Sequence, residues 1–232
     1  MRIVSPGFPP WMARLQICLL CVAAVSFSQP KHAPGEMVRP DDLVELVKLD
    51  STLKLDFRYA TSKNFMHRPM YAQARAFLQR PAAEALIRIN RKLRKQGFGL
   101  MIFDGYRPWS ITKKFWDETP PEKHNFVADP KKGSKHNRGC AVDLSLFDLA
   151  TGKEIRMPSP YDDFTEKAYP SYKGGTQKQR RMRDLLRRAM ESEGFTVNPY
   201  EWWHFDFKDW ASYPILNVPF DRIQPTVRAT KQ

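Results

Sequence analysis

Hydrophobic residues in this chain change period from segment to segment without settling into repeated strand–helix–strand units, and that order narrows the fold more than any other feature. Leu53, Leu55, Phe57 and Tyr59 alternate with Lys54, Asp56 and Arg58, the period of a half-buried strand. Residues 44–49 are a candidate pairing partner across Asp50, Ser51 and Thr52. From Pro81 the period becomes helical. Ala85, Leu86, Ile89 and Leu93 share a face, Arg and Lys crowd the last turn, and Gly97 stops the helix. Residues 98–103 predict a short buried strand ending at Asp104 and Gly105, residues 109–118 a helix halted by Pro120 and Pro121, and residues 122–135 a polar loop. In a strand over 141–147, Val142, Leu144 and Leu146 share one face while Ala141, Asp143 and Ser145 share the other, so Asp143 projects away from that apolar layer. A helix over 176–193 would bury Met182, Leu185, Leu186, Ala189 and Met190 before Gly194, and a last strand over 200–207 follows the Asn198–Pro199 turn. Because strands and helices do not alternate as βαβ units throughout, the expected architecture is α+β: one domain with a central, mainly antiparallel sheet flanked by helices. The sequence contains no internal repeat and no sign of a second domain.

The first 28 residues predict a secretory signal peptide, leaving residues 29–232 as the working domain. They hold Arg2 and Arg14, no acidic residue, and an apolar run over 15–25 that is short for a bilayer span. Small residues allow cleavage after Ser26 or after Ser28, and Ser28 is favoured. The Pro-rich opening with Trp11 is unlike a signal n-region, which makes Met12 an alternative start. An uncleaved anchor or a lipoprotein signal is the competing reading, but neither Cys18 nor Cys21 follows the small residue that lipid attachment requires. The expected location is therefore periplasmic or secreted, with no stable membrane span in the mature chain. Removing the segment leaves Cys140 as the only cysteine, so no internal disulfide can form, and stability falls to the core or to a metal.

With 38 basic and 25 acidic residues the formal charge is +13, or +11 without Arg2 and Arg14. Such a surplus favours anionic surfaces. The basic residues are scattered over helical faces and loops without a nucleic-acid motif, so no nucleic-acid partner is expected and a solvated basic face is the simpler reading. The sequence does not fix the oligomeric state.

Two of the five histidines stand in unusual settings. Ser134, His136, Gly139, Ala141 and Asp143 form the pattern Ser-x-His-x-x-Gly-x-Ala-x-Asp, and Glu201 precedes His204 by three residues. A catalytic zinc uses three protein ligands, commonly histidine and carboxylate, and keeps a fourth position open. His136, Asp143 and His204 would supply that set if Gly139 lets the backbone bend so that the first two converge. Singly, such residues are more often structural, and the case rests on the joint pattern. An i, i+3 spacing in a turn would put Glu201 and His204 on one side; an edge-strand Glu in water is the bland reading. Cys140 is expected to point into the core, and Trp202 and Trp203 to pack around the metal strand without a catalytic role.

The paired signature resembles that of the zinc D-Ala-D-Ala dipeptidases, the VanX-like branch of the D,D-peptidases. The likeness extends over most of residues 29–232: Arg58, Tyr59, Ala60 and Thr61 with Asn64 and Phe65; Asp104, Gly105, Tyr106, Arg107 and Pro108; Tyr161 and Asp162; and Glu201, Trp202, Trp203 and His204. The resemblance implies a Hedgehog/D,D-peptidase-like fold and one Zn2+ per chain on His136, Asp143 and His204. It makes Glu201 the general acid/base and Arg107 the group that stabilises the tetrahedral intermediate. It also implies a small dipeptide substrate, with Asp162 holding its free ammonium group and Tyr59 among the substrate-binding residues. Asp162 could instead cap the turn after Pro158, Ser159 and Pro160. Ser134 could hydrogen-bond the substrate or simply end its loop.

Two rivals follow. A D,D-carboxypeptidase or murein endopeptidase would use the same motif on longer wall peptides, against which the block at 58–61 and the Tyr161–Asp162 pair favour a dipeptidase. A non-catalytic zinc-binding module would have no need of Glu201 and Arg107. An exported enzyme of this kind would serve wall-fragment turnover or recycling.

Overall fold

Strand β5 (Ala141–Asp148) is buried from Ala141 through Phe147 on both of its faces, and the rest of the molecule is arranged around it. The computed structural model describes residues 42–223, so the expected signal segment and any cleavage site in it lie outside the described residues. Among the described residues no helix is long and apolar enough to cross a membrane.

The order along the chain is β1 (Leu43–Glu45), a helical turn α1 (Leu46–Leu49), β2 (Lys54–Leu55), β3 (Phe77–Gln79), α2 (Arg80–Arg94), β4 (Phe98–Asp104), α3 (Trp109–Glu118), β5, α4 (Gln177–Glu191), β6 (Phe195–Asn198) and β7 (Glu201–Phe207). Five strands form one sheet in the order β2-β4-β5-β7-β6, and β1 pairs with β3 in a second, two-stranded sheet. Only the β2–β4 pair is parallel; the other neighbours in the large sheet are antiparallel. The α+β architecture with a mainly antiparallel sheet is therefore as expected.

The two long helices form for reasons visible in the sequence. Helix α2 has Pro81 in its first turn, buries Leu86, Ile89 and Leu93, and ends with Arg91, Lys92 and Arg94, cations placed against the negative end of the helix dipole. Helix α4 opens on a capping box in which the Thr176 hydroxyl accepts from the Gln179 N–H and the Gln179 side chain accepts from the Thr176 N–H. Its buried set is narrower than the periodicity implied: Leu186 and Met190 are buried, whereas Met182, Leu185 and Ala189 are half-buried. Arg183 is buried as well, its guanidinium donating to the Tyr172 carbonyl and pairing with Asp184.

The expected pairing of residues 44–49 with 53–59 does not form. Leu43–Glu45 pairs instead with Phe77–Gln79, and the next four residues wind into α1. Burial does alternate in the second segment, with Leu53, Phe57 and Tyr59 inside and Lys54 outside. The backbone, however, leaves the sheet early. Asp56 N–H still reaches the Ile102 carbonyl at 2.9 Å, after which Ala60 and Thr61 donate to Phe57 and Arg58 in a 3-10 turn. Period two sorts side chains by face but does not say which backbone pairs with which. Two short strands, β3 and β6, were not anticipated, since neither carries more than four residues of pattern.

Candidate metal centre and active site

His136 is delivered by a tight 3-10 turn, His136–Arg138, immediately before β5. The Ser134 hydroxyl accepts the His136 N–H at 3.2 Å, and Asn137 Oδ1 accepts the Ser134 N–H at 2.7 Å. Gly139 ends the turn at φ 67°, the left-handed region that glycine tolerates. A Cβ there would lie 2.5 Å from Leu43 Cδ2 and 3.3 Å from the Gln79 backbone nitrogen. That close approach lets Gln79 of β3 hold the turn, its N–H donating to the Gly139 carbonyl and its side chain to the Arg138 carbonyl.

Asp143 and His204 are register partners across β5 and β7, so their side chains leave the sheet on the same face. Glu201 reaches that face by a different route from the turn expected. It lies in β7, where a regular strand would point residues three apart in opposite directions. The β6–β7 register shifts between Val197, opposite Phe205, and Asn198, opposite Glu201, and this irregularity turns Glu201 toward His204. Glu201 Oε2 lies 3.6 Å from His204 Nδ1.

Three atoms converge. His136 Nε2 is 3.4 Å from Asp143 Oδ1, His204 Nδ1 is 3.1 Å from the same oxygen, and the two ring nitrogens are 3.1 Å apart. Each imidazole has a hydrogen-bond acceptor on its other nitrogen: the Gly105 carbonyl at 2.7 Å from His136 Nδ1, and Asp206 Oδ1 at 2.8 Å from His204 Nε2. Those acceptors place the ring N–H groups outward and turn a lone pair of each ring toward the centre. Asp143 Oδ1 is buried and accepts no hydrogen bond. Three mutually facing acceptors repel unless a cation lies among them. Zinc bound at about 2.0–2.1 Å to three tetrahedral corners would hold them about 3.3–3.4 Å apart, close to the spacing observed. The residues fit a divalent metal with one nitrogen-rich, three-ligand face.

Charge around the centre points the same way. Burial disfavours a charged His204, yet Asp206 and Asp143 outweigh it and push the imidazole well above its ordinary value. The centre thus draws positive charge. Burial raises Glu201 to about 7, with Asp143 adding to the rise and His204 and Arg107 opposing it.

Arg107 is buried beside this group. Its Nε and one terminal nitrogen donate to Asp104 Oδ2 at 3.0 and 2.8 Å, and that terminal nitrogen stands 4.0 Å from Asp143 Oδ2. Desolvation would weaken its charge, but Asp104 more than compensates and the guanidinium stays protonated. Its backbone is tied to the metal turn, since Arg107 N–H donates to the His136 carbonyl and Asn137 Nδ2 to the Arg107 carbonyl.

Asp162 lines the same space, at φ 59°. Oδ1 accepts the Tyr59 hydroxyl at 3.1 Å, whereas Oδ2 is buried without a hydrogen-bond partner. Burial, reinforced by Asp143, pushes its carboxyl well above the usual range. Its hydrogen bond comes from Tyr59, a residue remote in sequence, and not from the turn around it.

These groups line one cavity of about 200 Å³. Its wall includes Phe65, Phe115 and Phe126, with Phe126 stacked on Phe164 at 4.8 Å between ring centroids. Ser134 accepts the His136 N–H within its loop and also lines the cavity. Tyr59 lines it too and holds Asp162. Cys140 is wholly buried and is not among the lining residues, as expected, but Trp203 does reach the wall. The sequence reading missed three supporting groups. Asp206 follows His204 by two residues on the same strand face, and His-x-Asp in a strand was the available signal. Asp104 precedes Arg107 by three residues and also accepts from the Tyr71 hydroxyl at 3.0 Å. The Tyr161 hydroxyl donates to Asp143 Oδ2 at 3.0 Å, which steers the other oxygen to the centre.

A family model described as D-Ala-D-Ala dipeptidase, within the M15 peptidases, matches residues 39–224. The chain belongs to this peptidase family. It is 33% identical over 179 residues to a D-alanyl-D-alanine dipeptidase of Escherichia coli (strain K12), covering 77% of this chain and 91% of the relative. A D-alanyl-D-alanine dipeptidase of Enterococcus faecium is 32% identical over 190 residues, covering 73% of this chain and 91% of the relative. Among solved structures, this chain is similar to the vancomycin-resistance D,D-dipeptidase VanXYg in complex with a D-Ala-D-Ala phosphinate analogue. That similarity has a TM-score of 0.39 and 23% identity, over 59% of this chain and 52% of the other.

Proposed function

We propose that this chain is a zinc dipeptidase that hydrolyses D-alanyl-D-alanine to D-alanine, with one Zn2+ held by His136, Asp143 and His204. The observation that carries the reading is one small cavity lined by two aspartates that each have a buried carboxylate oxygen without a hydrogen-bond partner: Asp143 Oδ1, among the convergent ring nitrogens, and Asp162 Oδ2. The first suits a metal, the second a substrate ammonium.

Zinc, when bound, supplies Lewis acidity, polarising a carbonyl and lowering the pKa of a water from about 9 on the free ion toward about 7. The protein groups do the rest. Glu201 takes the proton of the attacking water and delivers it to the leaving amine, a role its carboxylate can fill from beside His204 without being a ligand. Arg107, held by two hydrogen bonds to Asp104 Oδ2, presents fixed positive charge to the carbonyl oxygen as negative charge develops on it. Tyr59 orients Asp162, which pairs with the free ammonium and so sets the distance from substrate N-terminus to scissile bond. A D,D-carboxypeptidase or endopeptidase acting on longer wall peptides would bring no free ammonium to the buried Asp162 carboxylate. A zinc-binding module without turnover would have no use for Glu201 and Arg107 facing the centre.

The experiment is turnover of the zinc-loaded protein on D-Ala-D-Ala, L-Ala-L-Ala and a D-Ala-D-Ala-terminated pentapeptide. Release of D-alanine from the first alone is expected; equal cleavage of the pentapeptide would replace the dipeptidase with a carboxypeptidase. Export for wall-fragment turnover or recycling completes the reading, supported by the apolar run at residues 15–25. N-terminal sequencing of the mature protein should begin at Gln29, and retention of residues 1–28 would overturn export by cleavage.

A further inference from the structure

Among the described residues the basic surplus is concentrated on two helices. The described residues hold 32 basic and 23 acidic side chains, a net of +9. Residues 80–95, α2 and its C-terminal cap, carry six basic residues against Glu84 alone. Residues 177–193, α4 and its C-terminal cap, carry six against Asp184, Glu191 and Glu193. These two segments therefore account for +8 of the +9, and the remaining described residues are close to neutral.

The helices lie against one another, with Arg88 and Lys92 of α2 clasping Glu193 beyond α4 at 2.8 and 2.5 Å. Outside that clasp, Arg91, Lys95, Lys178, Arg181 and Arg188 are exposed and, among the described residues, form no ion pair. Each helix has 15 residues, about 22 Å of length at 1.5 Å per residue, so the charge is spread over an extended face. Among the described residues, none of the five best-formed cavities is lined by residues of both helices, so none of them offers a small anion a cleft between the two. The large exposed hydrophobics Leu49, Tyr200 and Trp210 all lie outside both helices, so the face offers no stacking platform for nucleic-acid bases and nothing apolar to insert. An extended, non-inserting cationic face complements a flat anionic surface.

We propose that the α2–α4 face docks the protein electrostatically onto an anionic phospholipid bilayer. None of the residues that line the active-site cavity belongs to α2 or α4, so docking leaves the cavity open to substrate. The proposal is independent of the reaction assigned above.

The test is vesicle co-sedimentation of the full zinc-loaded chain, using phosphatidylcholine vesicles with and without about 30% phosphatidylglycerol. The phosphatidylcholine arm measures any contribution of the apolar run at 15–25. A quadruple variant, R91S/K95S/K178S/R181S, removes exposed cations that line no part of the active-site cavity, and its circular dichroism and dipeptidase activity in solution should match the wild type. Each Lys or Arg near such a surface contributes roughly five-fold to binding. Binding to the anionic vesicles is therefore expected to fall at least 30-fold in the variant, and steeply for the wild type between about 0.05 and 0.3 M salt as screening shortens. Equal binding to the two vesicle types, or unchanged binding of the variant, would overturn the proposal. So would binding to heparin or duplex DNA without binding to anionic vesicles, since the partner would then be a polyanion in solution.

Discussion

Two carboxylates on β7 divide the work around His204. Asp206 accepts from Nε2 at 2.8 Å and is itself held by Lys135 at 2.7 Å, so it fixes the tautomer that turns Nδ1 to the centre. Glu201 faces the same ring from the cavity side. Replacing Asp206 with Asn offers the ring an amide that can present either end, and zinc affinity should fall about 10- to 100-fold in a competition titration with a chromogenic chelator. Glu201→Gln keeps shape and should leave that titration unchanged while lowering kcat by about 10²- to 10⁴-fold. The opposite pattern, tight zinc in the first variant and lost zinc in the second, would exchange their roles. His136, Asp143, Glu201 and His204 were legible in the sequence because their types and spacing are unusual together. Asp206 was not singled out, because an aspartate two residues from a histidine means something only once both are known to share a strand face.

At the scale of elements, the site depends on two departures from regular structure. One is the left-handed Gly139 that swings the His136 turn into β5; the other is the irregular β6–β7 register that brings Glu201 round to His204. The glycine was legible, since a motif that must bend between a loop ligand and a strand ligand needs a residue free of a Cβ. Gly139→Ala forces a Cβ into the left-handed region and against Leu43 Cδ2. A loss of about 1–3 kcal/mol is expected from urea denaturation, and an unchanged midpoint would mean the turn has room to relax. The register shift was not legible, because nothing in Glu-x-x-His distinguishes a turn from a kinked strand. The failed pairing of residues 44–49 with 53–59 has a related cause. Alternation reported burial correctly at Leu53, Phe57 and Tyr59, but the partners of β1 and β2 come from β3 and β4, tens of residues away. Long helices, whose hydrogen bonds are internal, were read nearly to their ends; short strands, whose hydrogen bonds are not, were read poorly.

The whole molecule separates its chemistry from its charge: a cavity on one side of the sheet, cationic helices outside its lining. That cavity, about 200 Å³, is below the roughly 300–1,000 Å³ of pockets for drug-sized ligands. In the dipeptidase reading, Asp162 and the three convergent ligands are the two points in this cavity that a substrate must reach together. The free ammonium is the feature such a site requires, because an acetylated N-terminus would leave Asp162 Oδ2 buried without a partner. Truncating one member of a buried, hydrogen-bonded charge pair costs about 2–5 kcal/mol, or roughly 30- to 4,000-fold in rate constant. The most direct measurement is therefore kcat/KM of the zinc-loaded protein on D-Ala-D-Ala and on N-acetyl-D-Ala-D-Ala, with Asp162→Ala alongside. The wild type should prefer the free dipeptide by at least 30-fold, and the variant should lose that preference mainly through slower cleavage of the free dipeptide. Equal cleavage of both substrates by the wild type would contradict a dipeptidase built around Asp162 and point to an enzyme of longer wall peptides.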